Sequence, residues 1–453
     1  MSSVPPKDLL TEIYNVFDPF DPPPKDAYVD CGDVRGDWSV LTELGNKIIR
    51  GKTTTYQLYT GHRGVGKSTE LLRLKRDLEA QKYFVVYFGA DSEDIDVQDT
   101  EYADILLACT KHLVQDIKLE DKSPLRGISD WLQKRVQNIS DLLLTELSFD
   151  GLSLEQQVSQ FAKITATIKA KPDNRREIRD QINANASSLS VVLNEFIDAG
   201  KKFLLKKGYK DLVLIVDNLD RIAEIQKEEG KPSNYDEIFI QRHEQMRDLH
   251  CHVIYTVPIS MVYSDRCTQL QNNFDETDVL SMVMLQDEKG ERSEAGLAKF
   301  REIIAKRVAQ VKLDEDEAIG QKLANALGSE VFVSPEILEH LCLMSGGHIR
   351  LLMQMIQKAL DHTTALPISI RAVNRSIEDA KEYFLNTIFD HQWELLHQVA
   401  STKQIPNQEN DKEYPRLLGS RCVLEYRYRD DNDKLKRWYD VHPLVKDLEK
   451  FGA

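Results

Sequence analysis

Cysteine is scarce in this 453-residue chain. Its six positions, Cys31, Cys109, Cys251, Cys267, Cys342 and Cys422, are scattered and form no C-x-x-C pair. That spacing argues against a zinc framework or a disulfide scaffold and predicts buried thiols in a reducing compartment. No apolar run approaches the about 18 residues that a membrane-crossing helix needs. The opening Met1-Ser2-Ser3-Val4-Pro5-Pro6-Lys7-Asp8 lacks the apolar core of a secretion signal. Positive charge is outweighed: 59 Lys and Arg stand against 74 Asp and Glu, a net charge of −15. This balance argues against broad, non-specific adhesion to nucleic acid or to an anionic membrane. Internal repeats and low-complexity tracts are also missing. What remains is 41% hydrophobic and 29% charged, the composition of a cytoplasmic globular protein with room for about two to four domains.

The most specific feature that is present is Gly61-His62-Arg63-Gly64-Val65-Gly66-Lys67-Ser68-Thr69. It reads Gly-x-x-x-x-Gly-Lys-Ser, a nucleotide phosphate-binding loop. Glycines let successive backbone N–H groups turn inward around a polyphosphate that a side chain would strike. All nine residues from Gly61 to Thr69 are therefore expected to line bound ATP, with Lys67 reaching the β- and γ-phosphates and Ser68 ligating Mg²⁺. The β-rich Tyr56–Tyr59 segment precedes the loop. An amphipathic helix follows, and its N-terminal end favours the same anion.

Along the chain, residues 1–30 are rich in Pro, Asp and Phe and read as an extended arm. Residues 31–290 read as an α/β core, with expected strands at 83–88, 212–216, 251–258 and 279–285 besides the one before the loop. Tyr28–Trp38 is a candidate base pocket or a plain packing segment, and Val40–Ile49 a helix. Apolar, β-branched runs between amphipathic helices predict a parallel sheet. A mostly helical insertion, with a β-like patch at Ile164–Ile168, occupies about residues 120–200. Residues 291–375 are helical and suit a lid over the nucleotide. Residues 376–453 suggest helices followed by a hairpin, a winged helix. The fold class is thus a P-loop NTPase parallel sheet with a helical lid and a C-terminal winged-helix domain.

A second motif is the apolar strand that ends in Asp217, whose carboxylate is expected to hold Mg²⁺ directly or through water. Asn218 follows it. Asp220 is the nearest carboxylate able to polarise water, or else it caps the next helix. Thr256 either senses the γ-phosphate or is a satisfied strand-end hydroxyl. Arg350, after a Gly-Gly pair at the start of a lid helix, suits a γ-phosphate sensor. Arg266 and the Arg175-Arg176-Arg179 cluster are candidates for an arginine donated to a neighbouring subunit. His442 reads as structural.

Together, Gly61–Ser68, Leu212–Asp217, Thr256 and Gly347–Arg350, with the winged-helix pattern behind them, resemble AAA+ and STAND-type P-loop ATPases. The layout is similar to the origin-recognition-like branch and to bacterial regulatory and antiviral-defence ATPases. Asp217-Asn218-Leu219-Asp220-Arg221 also looks like the Asp-Asp-Leu-Asp-Arg run of KAP-type P-loop ATPases. The resemblance implies ATP between sheet domain and lid, Mg²⁺ as cofactor and a two-state element biased by the γ-phosphate. It departs from the family at Asn218, where many AAA-type members carry Glu, and at the 120–200 insertion. The expected function is a slow ATPase switch that acts on a protein partner, as a monomer or a homo-oligomer, in defence or signalling. The alternative is a DNA-directed AAA+ ATPase that uses its winged helix. Residues 390–453 hold 11 Lys or Arg against 12 Asp or Glu, so a basic DNA footprint is absent there.

Overall fold

The structure is a computed structural model that describes residues 8–119, 123–136, 172–226, 230–313, 316, 318–406 and 412–452. The expected β-like patch at 164–168 lies outside the described residues. The chain divides into two compact units. One comprises the residues up to Ser39, Gly61–Thr69 and those from Leu280 onward; the other comprises Val40–Thr60 and Glu70–Val279.

The second unit is built on a sheet of β1 (Tyr56–Gly61), β2 (Phe84–Gly89), β3 (Leu212–Asp217), β4 (His252–Thr256) and β5 (Glu276–Leu280), in the order β2-β3-β4-β1-β5. The β2–β3, β3–β4 and β1–β4 pairs run parallel. All six residues of β3 are buried, as expected for a central strand covered on both faces. The parallel pairing sets the C-terminal ends of β1 to β4 along one edge, with Thr60, Gly89, Asp217 and Thr256 there. In open α/β sheets this is the edge where ligands bind. The Tyr102–Asp116 helix starts on a reciprocal cap between Glu101 and Asp104 and buries most of its length.

Described parts of the insertion are helical: Ser123–Val136, Pro172–Ala184 and Ala186–Lys206. Arg179 pins the second of these to the rest of the unit. Its Nε donates to Asp104 Oδ1 at 3.0 Å and its Nη2 to Asp104 Oδ2 at 2.6 Å, and it also donates to the Asp99 carbonyl. Arg179 is only 4% exposed. Arg266 is likewise committed, to Asp236 at 2.6 Å and Glu224 at 2.7 Å. Arg266 and Arg179 are therefore held in structural ion pairs, whereas Arg176 of the same cluster is exposed. Arg179→Ala would strand the buried Asp104 carboxylate, and unfolding in urea should show a loss of roughly 3 kcal/mol. Unchanged stability would refute that role.

In the first unit the arm is not extended throughout. Leu9–Val16 is a helix, with Ile13 and Phe17 fully buried. It packs on the Glu294–Val308 and Ile349–Asp361 helices, and this packing overrides the proline-rich composition around it. Arg307 Nη1 donates to the Val16 carbonyl at 2.7 Å, and Gln357 Nε2 to the Tyr14 carbonyl at 3.1 Å. The helices Pro335–Met344 and Ile370–Leu385 complete a helical body. Gln392–Thr402, Glu413–Gly419 and an antiparallel hairpin of β6 (Val423–Arg429) and β7 (Leu435–Val441) follow, in winged-helix order.

The strand expected at 279–285 is displaced to 276–280. Met282, Val283 and Leu285 are buried as their apolar character requires. Their stretch serves other partners, however: Met282 N–H donates to the Glu425 carbonyl and Met284 N–H to the Val34 carbonyl. Between β3 and β4 the chain forms a wide helical turn at Asp236–Gln241 and a short helix at His243–Met246.

Candidate functional site

In the first unit, the loop Gly61–Ser68 runs directly into the Lys67–Ala80 helix. Gly61, Gly64 and Gly66 all adopt positive φ, at 149°, 87° and 112°, which explains their identity. A Cβ on Gly64 would lie 2.7 Å from Arg350 Cβ, so glycine also permits close approach of the helix that starts there. A Cβ on Gly66 would meet nothing nearer than Ile349 Cδ1 at 3.8 Å. That distance is ordinary van der Waals contact, and a loop of glycines with positive φ is the kind of backbone whose N–H groups cradle anions. Lys67 Nζ donates to the Gly61 and His62 carbonyls at 2.8 and 3.0 Å, which holds the ammonium over its own loop.

The loop is braced by parts of the same unit that are remote in sequence. Arg35 Nη2, from the candidate base-pocket segment, donates to the Val65 carbonyl at 2.8 Å. Arg350 N–H donates to the Gly64 carbonyl at 3.2 Å. His348 caps the Ile349–Asp361 helix by accepting Leu351 N–H at Nδ1, while its Nε2 donates to the Arg63 carbonyl. His62 faces the winged helix: its Nδ1 donates to the Leu418 carbonyl at 3.0 Å, and its Nε2 accepts Glu425 N–H at 3.2 Å. Both rings use each nitrogen once, the pattern of neutral imidazole. Burial holds the His62 pKa down at about 3, helped by the nearby Lys67 charge. Burial also pushes His348 well below the ordinary range, with Arg421 acting in the same direction.

The Arg350 side chain has a partner that the sequence did not disclose. Its Nε donates to the Pro19 carbonyl at 3.0 Å, and its guanidinium lies over the Phe20 ring, 5.3 Å from the centroid. The arm thus orients the expected sensor. His442 is buried and caps the Pro443–Lys446 turn by accepting Leu444 N–H at 3.2 Å.

In the second unit, Asp217 is fully buried at the end of β3. Its Oδ1 accepts Asn218 N–H at 2.7 Å, and its Oδ2 accepts the Tyr87 hydroxyl at 2.8 Å. Asn218 has φ 65°, ψ 10°, a left-handed conformation that asparagine tolerates better than glutamate does. The backbone itself thus favours Asn where many AAA-type ATPases carry Glu. Asp220 is buried within the Leu219–Arg221 turn. Thr256 is fully buried; its Oγ1 accepts Leu219 N–H at 2.9 Å and donates to the Val216 carbonyl at 3.4 Å. The hydroxyl holds the turn after β3 and so positions the Asp217–Asp220 segment.

Among the described residues no group of three or more His, Cys, Asp or Glu could hold a metal alone. Mg²⁺ would take one or two protein oxygens, such as those of the Asp217 carboxylate at the end of β3, and complete its shell with phosphate and water. Among the described residues no helix is long and apolar enough to cross a membrane.

No family model matches the chain. No curated protein matches it either. Solved structures do resemble it. The Aeropyrum pernix ORC1 protein in complex with DNA is 11% identical, with 90% of each chain covered and a TM-score of 0.35. Cdc6p from Pyrobaculum aerophilum is 13% identical, with 95% of this chain and 94% of that one covered and a TM-score of 0.37. At those scores the P-loop architecture rests on this chain's own sheet order, loop backbone and helix–hairpin order.

Proposed function

We propose that this protein is a Mg²⁺-dependent, slow ATPase that works as a molecular switch in the cytoplasm. The observation that carries the proposal is the phosphate loop, with three positive-φ glycines and Lys67 at a helix N-terminus. In this reading the Gly61–Thr69 backbone wraps the phosphates, Lys67 neutralises the β- and γ-oxygens, and Arg350 reports the γ-phosphate. Ser68 and Asp217 ligate Mg²⁺, which offsets charge on the transferring group. Asp220 orients water. Asn218 supports slow turnover, since no carboxylate follows Asp217 directly. The likeness of Asp217–Arg221 to the KAP-type run belongs to the same reading.

The partner is taken to be a protein, another copy of this chain included. The wing supports this over DNA, because three of its cations are met by its own acids. Arg427 pairs with Glu425 at 2.6 Å, Lys436 with Asp430 at 3.4 Å and Arg429 with Asp433 at 3.6 Å. The test is native mass measurement of the full chain with ADP and with a non-hydrolysable ATP analogue, together with any co-purified protein. We expect assembly or partner occupancy to change between the two nucleotides. An identical mass distribution in both would sink the switch. Salt-sensitive DNA binding at physiological ionic strength would favour the DNA-directed reading instead.

A further inference from the structure

We propose that Tyr87 is a positioning residue for the metal-binding carboxylate, a role that rests on the Mg²⁺–ATP reading and extends it to a residue outside the phosphate loop and the Asp217 motif. The basis is sheet register. In the parallel β2–β3 pair, Tyr87 lies opposite Ile215 and Gly89 opposite Asp217. Side chains alternate between faces along a strand, so Ile215 and Asp217 share a face, and Tyr87 shares it with them. A tyrosine is long enough to reach its diagonal neighbour. Its hydroxyl donates to Asp217 Oδ2 at 2.8 Å.

This bond does something that the strand backbone cannot. Asp217 is the last residue of β3, and the chain turns into a left-handed residue immediately after it. The backbone N–H of Asn218 restrains one carboxylate oxygen, at 2.7 Å. The Tyr87 phenol restrains the other. Together they fix the plane of the carboxylate before any cation arrives. A carboxylate oxygen carries two lone pairs, so accepting one of these bonds is compatible with also ligating Mg²⁺ or a water on Mg²⁺. Groups of this kind behind a metal ligand typically change metal affinity by about 10- to 100-fold when removed.

Tyr87→Phe deletes only the hydroxyl and keeps the ring packed on β2. With the full-length protein, nucleotide binding would be followed by fluorescence of a labelled ATP analogue, first in EDTA and then across a Mg²⁺ titration. The expected result is about a tenfold rise in the Mg²⁺ concentration for half-saturation, with the EDTA affinity and the thermal unfolding midpoint close to wild type. In an Asp217→Asn background, adding Tyr87→Phe should shift the Mg²⁺ requirement no further, because the two residues act through one bond. An unchanged Mg²⁺ requirement in Tyr87→Phe overturns the proposal while leaving the Mg²⁺–ATP reading intact. So does an equal shift in the Asp217→Asn background, or a parallel loss of EDTA affinity and stability, which would mark Tyr87 as merely structural. Wild-type binding indifferent to Mg²⁺ would remove both.

Discussion

Lys67→Ala is expected to reduce ATP turnover by at least about 100-fold, the order seen when one preorganised donor to a developing anion is removed. Lys67 is 5% exposed, and its ammonium is already poised over the loop by the Gly61 and His62 carbonyls. No other lysine occurs between Gly61 and Ser68. Asp217 should be as sensitive, but the substitution matters. Asp217→Ala would remove the acceptor that the half-buried Tyr87 hydroxyl and Asn218 N–H use here, at about 0.5–1.5 kcal/mol for each bond lost. Lost activity could then reflect lost folding. Asp217→Asn keeps the shape and one acceptor for the Asn218 N–H, and its amide NH2 can donate to the Tyr87 hydroxyl oxygen, so it removes the charge with less disturbance than Ala. Phosphate release by the two variants, with thermal midpoints measured alongside, decides the matter. Turnover equal to wild type in Lys67→Ala would eliminate the enzyme reading.

Acid sensitivity is the second large effect. His62 and His442 are fully enclosed and neutral, each with its pKa held at about 3 by burial, and His348 lies well below the ordinary range for the same reason. In the unfolded chain a histidine titrates near 6.5. Each folded pKa is depressed, so the unfolded chain takes up protons first as pH falls. The stabilisation is fully present above the unfolded pKa and is lost between about 6.5 and 3. Between pH 7 and pH 5 the loss is about 2 kcal/mol per histidine, or about 4 kcal/mol for His62 and His442 together. Urea unfolding, followed by the fluorescence of Trp393 and Trp438 in the same unit, should show stability falling steeply below pH 6.5. A flat profile from pH 7 to pH 5 would contradict the buried, neutral assignment.

Much of this architecture was legible in the chain because its signals are local. The β2, β3 and β4 strands stand out as apolar runs, and the phosphate loop as glycines and lysine at fixed spacing. The terminal helices and hairpin show as a change of period followed by a polar turn at Asp430–Asp433. What could not be read depends on residues far apart in sequence. The Leu9–Val16 helix is too short to persist alone and exists through its packing on the Glu294–Val308 and Ile349–Asp361 helices. Arg179 looked like one of a surface cluster until Asp104, 75 positions earlier, was placed beside it. Tyr87 sits in an unremarkable strand, and only the β2–β3 register brings it to Asp217, 130 positions later. Thr256 was ambiguous because a strand-end hydroxyl has the same sequence signature whether it faces a ligand or a neighbouring turn.

The two bonds of the His62 ring carry a consequence for biogenesis. Their partners, Leu418 and Glu425, lie 356 and 363 positions further along the chain. At a synthesis rate of about 5–20 residues per second, those partners leave the ribosome roughly 20–70 s after the loop. Until then the loop lacks two of its braces, however early β1 and the Lys67–Ala80 helix form. Nucleotide affinity should therefore mature late, and a nascent chain should not commit ATP before its winged helix is in hand.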